Sequence, residues 1–177
     1  DILVLAGSIP ASMPESMYRD IMKRLADRKL KIAVDATKSL LLNVLPFHPF
    51  VIKPNNHELG ELFNVKIKSK DQAVEYAKKL QEMGAQNVIV SMAGEGAVFV
   101  GDDGSVFQSE APKGTVVNSV GAGDSMVAGF LAGYLGEGDY KEAFKLGVCT
   151  GSASAFSEQL ATREQVEAIR NTHHFQF

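Results

Sequence analysis

The chain has 177 residues, 45% of them hydrophobic, with a formal net charge of −3 and one cysteine. That is enough apolar material for one packed core, while the longest apolar run, residues 126–136, falls well short of the ~20 residues of a membrane span. Dispersed charges of both signs leave no basic face for nucleic acid or an anionic membrane, and the lone Cys149 excludes an internal disulfide and fits a reducing cytoplasm.

In chain order, Ile2-Leu3-Val4-Leu5-Ala6 reads as a buried strand ending at the turn Gly7-Ser8-Ile9-Pro10. Residues 14–29 are amphipathic, with Met17, Ile21 and Leu25 on one face and Arg19, Asp20, Lys23 and Asp27 outside. Ser12 is the expected N-cap, with Pro14 in the first turn. Residues 31–35 are the next strand, 39–45 a short helix closed by Pro46, and 50–54 a third strand. Strand, helix, strand, helix, strand at this pitch predicts an α/β fold: a doubly wound, mainly parallel sheet with helices on both faces. Ligands of such sheets sit at the carboxyl ends of strands. That expectation places Gly7, Asp35, Asn55 and the turn at 121–124 along one edge. Asp35 either caps the following helix or orients a lysine or water near phosphates. Lys38 reads as a solvated lysine or a weak phosphate contact. Glu58 falls in the first turn of a helix running to Phe63, where a carboxylate complements the macrodipole. Ser69-Lys70-Asp71-Gln72 is a capping box for a helix over 70–83. A strand at 87–91 leads into the loop Ser91-Met92-Ala93-Gly94-Glu95-Gly96. Strands at 97–100 and 105–109 follow, joined by a hairpin-type turn.

The stretch Asn118-Ser119-Val120-Gly121-Ala122-Gly123-Asp124-Ser125 carries the chemistry. Thr115-Val116-Val117 before it reads as a strand end, and the apolar run after it as a buried helix. Backbone N–H groups at a helix start lack partners within the helix, and the macrodipole adds positive potential. Small residues at 121–123 let an anion approach them. A carboxylate there repels the anion unless it has chemical work, such as taking a proton from a hydroxyl that receives a phosphoryl group. The plainer reading is a tight turn in which Asp124 stabilises the helix by about 0.3–1 kcal/mol. A dinucleotide fingerprint fails because Met126 stands where Gly or Ala is needed. A P-loop fails because Asp139 stands where Lys is required. Gly129 and Gly133 are spaced for close packing, and residues 140–156 form a second helix in which Cys149 reads as core. Thr162-Arg163-Glu164-Gln165 caps a last helix, and residues 173–177 read as a frayed tail.

Asn118 to Phe130 resembles the second signature of the PfkB (ribokinase-like) carbohydrate kinases, whose core is Gly-Ala-Gly-Asp. Asp35-Ala36-Thr37 and Ile52-Lys53-Pro54-Asn55 resemble its sugar-phosphate branch, and the resemblance runs from Leu5 to about Ala168. It implies transfer from ATP to a phosphorylated ketohexose, fructose 1-phosphate or alternatively tagatose 6-phosphate. Asp124 would be the base, with N–H groups of Gly121, Ala122 and Gly123 around the transferred phosphoryl. It also implies that Ser91, Met92, Ala93, Gly94, Glu95 and Gly96, with Gly123 and Asn55, hold the nucleotide. Asn55 and Glu58, the family's N-x-x-E, would arrange Mg2+ through its waters. Three positions depart from the pattern: Asn118 stands for a common Asp, Ser91 for Thr, and Ala93 for the loop's first Gly. By the same resemblance, residues 1–177 are the C-terminal nucleotide-binding portion of one kinase domain. Family members carry a further stretch holding the first strands, most sugar contacts and a β-sheet lid through which they dimerise. The chain by itself could then be a nucleotide-binding module without catalysis.

Overall fold

The computed structural model describes residues 1–177. Six strands form one sheet in chain order: β1 (Ile2–Ala6), β2 (Lys31–Asp35), β3 (Val51–Ile52), β4 (Asn87–Ser91), β5 (Ala97–Val100) and β6 (Val106–Ser109). The first four pair in parallel, with Ala6 opposite Asp35, Val34 opposite Ile52 and Ile52 opposite Val88. Parallel neighbours need crossovers. These are α1 (Met17–Arg24), α2 (Lys38–Val44), and α3 (Asn56–Phe63) followed by α4 (Lys70–Glu82). The connections from β4 to β5 and from β5 to β6 are too short for a crossover, so those pairs turn back on themselves and the sheet is mixed.

Consecutive buried residues fill the central strands: Ile32, Ala33 and Val34, then Val51 and Ile52, then Val88, Ile89 and Val90. Such unbroken apolar runs belong to strands covered on both faces, as the α/β reading requires. Two compact units divide the chain, one of Asp1–Val90 with Phe99–Val106 and one of Ser91–Val98 with Phe107–Phe177. In the first, α1 packs on α2, α2 on α3 and α3 on α4, around Leu41, Phe50, Leu59 and Leu80. In the second, α5 (Ala122–Glu137) lies against α6 (Tyr140–Ala155), and α7 (Arg163–Thr172) docks on α6. The predicted close approach of α5 and α6 is present. A Cβ on Gly129 would lie 2.5 Å from Thr150 Oγ1, and one on Gly133 would lie 2.8 Å from Ala143 Cα.

Several local expectations are corrected. Helix α1 starts at Met17 rather than near Pro14, because turns closed by Met13 N–H to Pro10 O and Met17 N–H to Pro14 O occupy the lead-in. Ser12 caps nothing; Ser16 sits at the N-cap and its hydroxyl donates instead to Asp20 Oδ2 at 2.7 Å. Strand β3 is only two residues long, since Pro54 has no N–H for a ladder. Ser69 accepts from Gln72 N–H, but the Gln72 side chain accepts from Lys68 N–H, so the capping box is half formed.

Two corrections bear on function. Residues 115–117 form no strand: Val116 and Val117 are 63% and 56% exposed. The N–H groups of Val117 and Asn118 both donate to Ala155 O, at 2.8 and 3.1 Å. The orphan carbonyl at the end of α6 therefore takes the donors that a neighbouring strand would have taken. The tail is not frayed either. The Phe177 ring lies 4.9 Å from that of Phe107 and 5.8 Å from that of Phe144, and Phe175 packs on the cluster of Cys149, Ala153 and Val166. His173 Nε2 is 3.2 Å from Ser109 Oγ, and burial holds its pKa below the usual histidine value.

Candidate active site

In the first unit, three parallel strand ends bring polar groups together. Gly7 leaves β1 with φ +90°, and its N–H donates to Asp35 O at 3.1 Å. Asp35 closes β2, and Lys53 follows Ile52 of β3, which pairs with Val34. That register sets Lys53 Nζ 3.6 Å from Asp35 Oδ1. Lys53 is only 7% exposed. Asp35 does not cap α2, whose N-cap residue is Thr37, so its other reading, a carboxylate orienting a lysine, fits the geometry. Lys53 was not singled out by sequence reasoning. Its signal was a lysine between an apolar strand and a proline, at the edge where ligands bind. Lys38 is exposed, 3.7 Å from Glu61, which is exposed too, and reads as a solvated lysine.

Asn55 is the N-cap of α3. Its Oδ1 accepts from Glu58 N–H at 2.8 Å, and Glu58 Oε2 accepts from Asn55 N–H at 2.8 Å. This reciprocal box fixes both side chains at the end of β3 and engages one of the two Glu58 oxygens. No group of three or more His, Cys, Asp and Glu side chains forms a metal cage. Magnesium, which keeps several waters and takes one or two carboxylates with substrate phosphates, fits Glu58 Oε1 on these terms.

In the second unit, the loop after β4 folds as a single helical turn over Ala93–Glu95, closed by Glu95 N–H to Met92 O at 2.9 Å and Gly96 N–H to Ala93 O at 3.0 Å, while Met92 N–H donates to Gly96 O at 2.8 Å across its base. Ala93, Gly94 and Glu95 are exposed, whereas the Met92 side chain is buried in the core, so only Met92's backbone belongs to the loop surface. Ala93 has φ +48°, which explains why a glycine suits this position. Gly96 packs so tightly against the Ser109 carbonyl that no side chain fits.

The turn before α5 is built by an Asx bond, Val120 N–H to Asn118 Oδ1 at 3.0 Å, and by Gly121 at φ +77°. Asn118 Nδ2 donates to Glu158 O at 3.3 Å, tying this turn to the segment after α6. Ala122 N–H is turned toward Ser119 O at 3.3 Å, and the N–H groups of Gly123 and Asp124 are left as first-turn donors of the helix. Asp124 is exposed in that first turn. A cavity of about 560 Å3 opens here, lined by Asn118, Gly121, Asp124 and Ser125 together with Gln159 and Leu160. Its wall is held from behind: Ala161 N–H donates to Ser154 Oγ, and Ser154 donates to Ser125 Oγ at 2.8 Å. A carboxylate open to solvent, beside unspent N–H donors and inside a cavity, can accept a proton next to a bound anion. Cys149 takes no part, because burial pushes its thiol up to about 11.

The chain as a whole is similar to known proteins. The model of the pfkB family of carbohydrate kinases matches residues 1–166. The chain belongs to that family. It is 50% identical over 169 residues to the 1-phosphofructokinase of Bacillus subtilis, covering 96% of this chain and 55% of that protein. It is 35% identical over 159 residues to the D-tagatose-1-phosphate kinase of Bacillus licheniformis, covering 89% and 52%. Among solved structures, phosphofructokinase-2 from Escherichia coli in complex with substrates and products superposes with a TM-score of 0.87 at 28% identity, over 96% of this chain and 56% of that one. The chain thus spans little more than half the length of these pfkB relatives. No helix is long and apolar enough to cross a membrane.

Proposed function

We propose that this pfkB chain is the nucleotide-binding, base-carrying portion of a cytoplasmic kinase that phosphorylates fructose 1-phosphate with ATP, giving fructose 1,6-bisphosphate. The observation that carries the reading is Asp124, exposed beside the free N–H groups of Gly123 and itself and lining a cavity of about 560 Å3. Its carboxylate takes the proton of the acceptor hydroxyl as that oxygen attacks the γ-phosphorus and the bond to the ADP oxygen breaks. The α5 N-terminus stabilises charge on the transferred group. Residues 91–96 hold the nucleotide. Asn55 and Glu58 would hold Mg2+ through its waters, and the ion would supply positive charge to the phosphates.

The names of the relatives refine the acceptor. Fructose 1-phosphate and tagatose 1-phosphate share the phosphate position and differ at one stereocentre, so a hydroxyl at the far end is common to both. Tagatose 6-phosphate, the alternative in the sequence reading, offers the opposite end and fits those names less well. As in the family's lid-mediated assembly, the whole protein is proposed to form a homodimer.

The test is ATP-dependent phosphorylation of all three sugar phosphates by the whole protein, wild type and Asp124→Ala. A general base contributes about 10²–10⁴-fold, so Asp124→Ala is expected to lose turnover by that factor and to keep ATP affinity. Equal turnover by the variant would refute the mechanism.

A further inference from the structure

Ser125 on α5 and Ser154 on α6, both in the second unit, form a hydroxyl pair 2.8 Å apart, with exposures of 9% and 2%. The direction of their protons follows from their surroundings. Ala161 N–H can only donate, and it gives its hydrogen to Ser154 Oγ at 3.1 Å. Ser154 accepts there and directs its own proton to Ser125 Oγ. Ser125 accepts in turn, and no oxygen of the chain takes the Ser125 proton. The carbonyl one turn back, Gly121 O, receives Ser125 N–H instead, at 2.8 Å.

Ser125 directly follows Asp124 and lines the same cavity as Asp124 and Gly121. A helical side chain leans toward the N-terminus of its helix, so this hydroxyl leans over the first turn of α5, where the N–H groups of Gly123 and Asp124 also lack partners. A nearly buried donor whose proton has no acceptor, at the wall of a cavity and beside main-chain donors, suits a bound anion. We propose that Ser125 is a catalytic residue donating a hydrogen bond to the transferred phosphoryl group, and that Ser154 is a positioning residue that points the Ser125 proton into the cavity. The inference rests on the kinase reading above and deepens it. Charge in phosphoryl transfer is spread over three equatorial oxygens, so a side-chain donor complements the main-chain ones. The hydroxyl keeps its proton throughout, and Asp124 remains the base.

The experiment measures kcat, KM for ATP and melting temperature of the whole protein for wild type, Ser125→Ala, Ser154→Ala and the double variant. Ser125→Ala is expected to lower kcat about 10- to 100-fold, the effect of one hydrogen bond to a charged group, with KM for ATP within about twofold. Either single variant breaks the Ser125–Ser154 bond, but Ser154→Ala also strips Ala161 N–H of its acceptor. A purely structural pair therefore predicts that Ser154→Ala does the greater harm. The proposal predicts the reverse for kcat: Ser154→Ala keeps the Ser125 hydroxyl and loses only its orientation, so kcat falls by less than about fivefold. In the double variant kcat is expected to match Ser125→Ala alone, because Ser154 acts through Ser125. Ser125→Cys, close in shape and a weak donor, is expected to show the same kcat loss and serves if Ser125→Ala does not fold. Wild-type kcat in Ser125→Ala or Ser125→Cys, or a loss in Ser154→Ala as large as that in Ser125→Ala, would overturn the inference and leave the kinase reading standing. Absence of turnover in the wild type would instead overturn the kinase reading, and this inference with it.

Discussion

Ala93 shows how a single residue records the demands of its loop. Its φ of +48° is costly for any residue with a Cβ. The left-handed conformation costs about 1–2 kcal/mol, while the extra unfolded-state freedom of glycine costs about 0.5–1 kcal/mol. The first term is larger, so Ala93→Gly is expected to stabilise the chain by about 0.5–1 kcal/mol in urea unfolding. A destabilised variant would mean that the loop does not hold this conformation in solution. The departure from the glycine pattern at 93 is thus a change in local strain, with the turn geometry kept. Asp35 and Lys53 illustrate the opposite case. Each was ambiguous or unnoticed alone, and only their 3.6 Å approach gives them a shared role.

At the scale of elements, the α5–α6 pair is governed by small residues. Replacing Gly129 by Ala brings a helix-propensity gain of about 1 kcal/mol. Against it stand contacts at 2.5 Å to Thr150 Oγ1 and 2.8 Å to Leu146 O, the latter a backbone atom that cannot swing away. Contact with a backbone atom puts the cost in the upper part of the about 1–3 kcal/mol range of overpacking, about 2–3 kcal/mol, so Gly129→Ala is expected to destabilise by about 1–2 kcal/mol net, measured by denaturant unfolding. An unchanged midpoint would show that α5 and α6 separate freely. Their spacing matters chemically because α5 carries Asp124 at its start, and the hydroxyl pair Ser125–Ser154 joins the two helices behind the cavity wall. Helix existence and these packed faces were legible in the sequence, since periodicity and glycine spacing act over a few residues. The starts were less so, as α1 shows: competing turns at Pro10 and Pro14 delayed it.

For the whole molecule, the chain spans little more than half of each relative. If it is the nucleotide-binding portion of a kinase domain, the 177-residue chain alone is expected to bind ATP with Mg2+ by calorimetry and to phosphorylate no sugar phosphate. Full turnover by this chain alone would show that the acceptor site is complete within it. Its α/β sheet with a parallel run and the helix start at Gly121-Ala122-Gly123-Asp124 were readable beforehand, because each is encoded by neighbours in the chain: alternating segments and a glycine run at a helix start, whereas the reciprocal capping of Asn55 and Glu58 came from the structure. What tertiary structure alone decided depends on residues far apart in sequence. Val116 and Val117 have strand propensity, but the N–H groups of Val117 and Asn118 go to Ala155 O at the end of α6, and no strand forms. Residues 173–177 carry no periodic signal, yet their rings find Phe107 and Phe144. Lys53 is buried because the register of β2 and β3 puts Asp35 beside it. Local pattern sets which elements form, whereas burial and long-range hydrogen bonding set what their ends and side chains do.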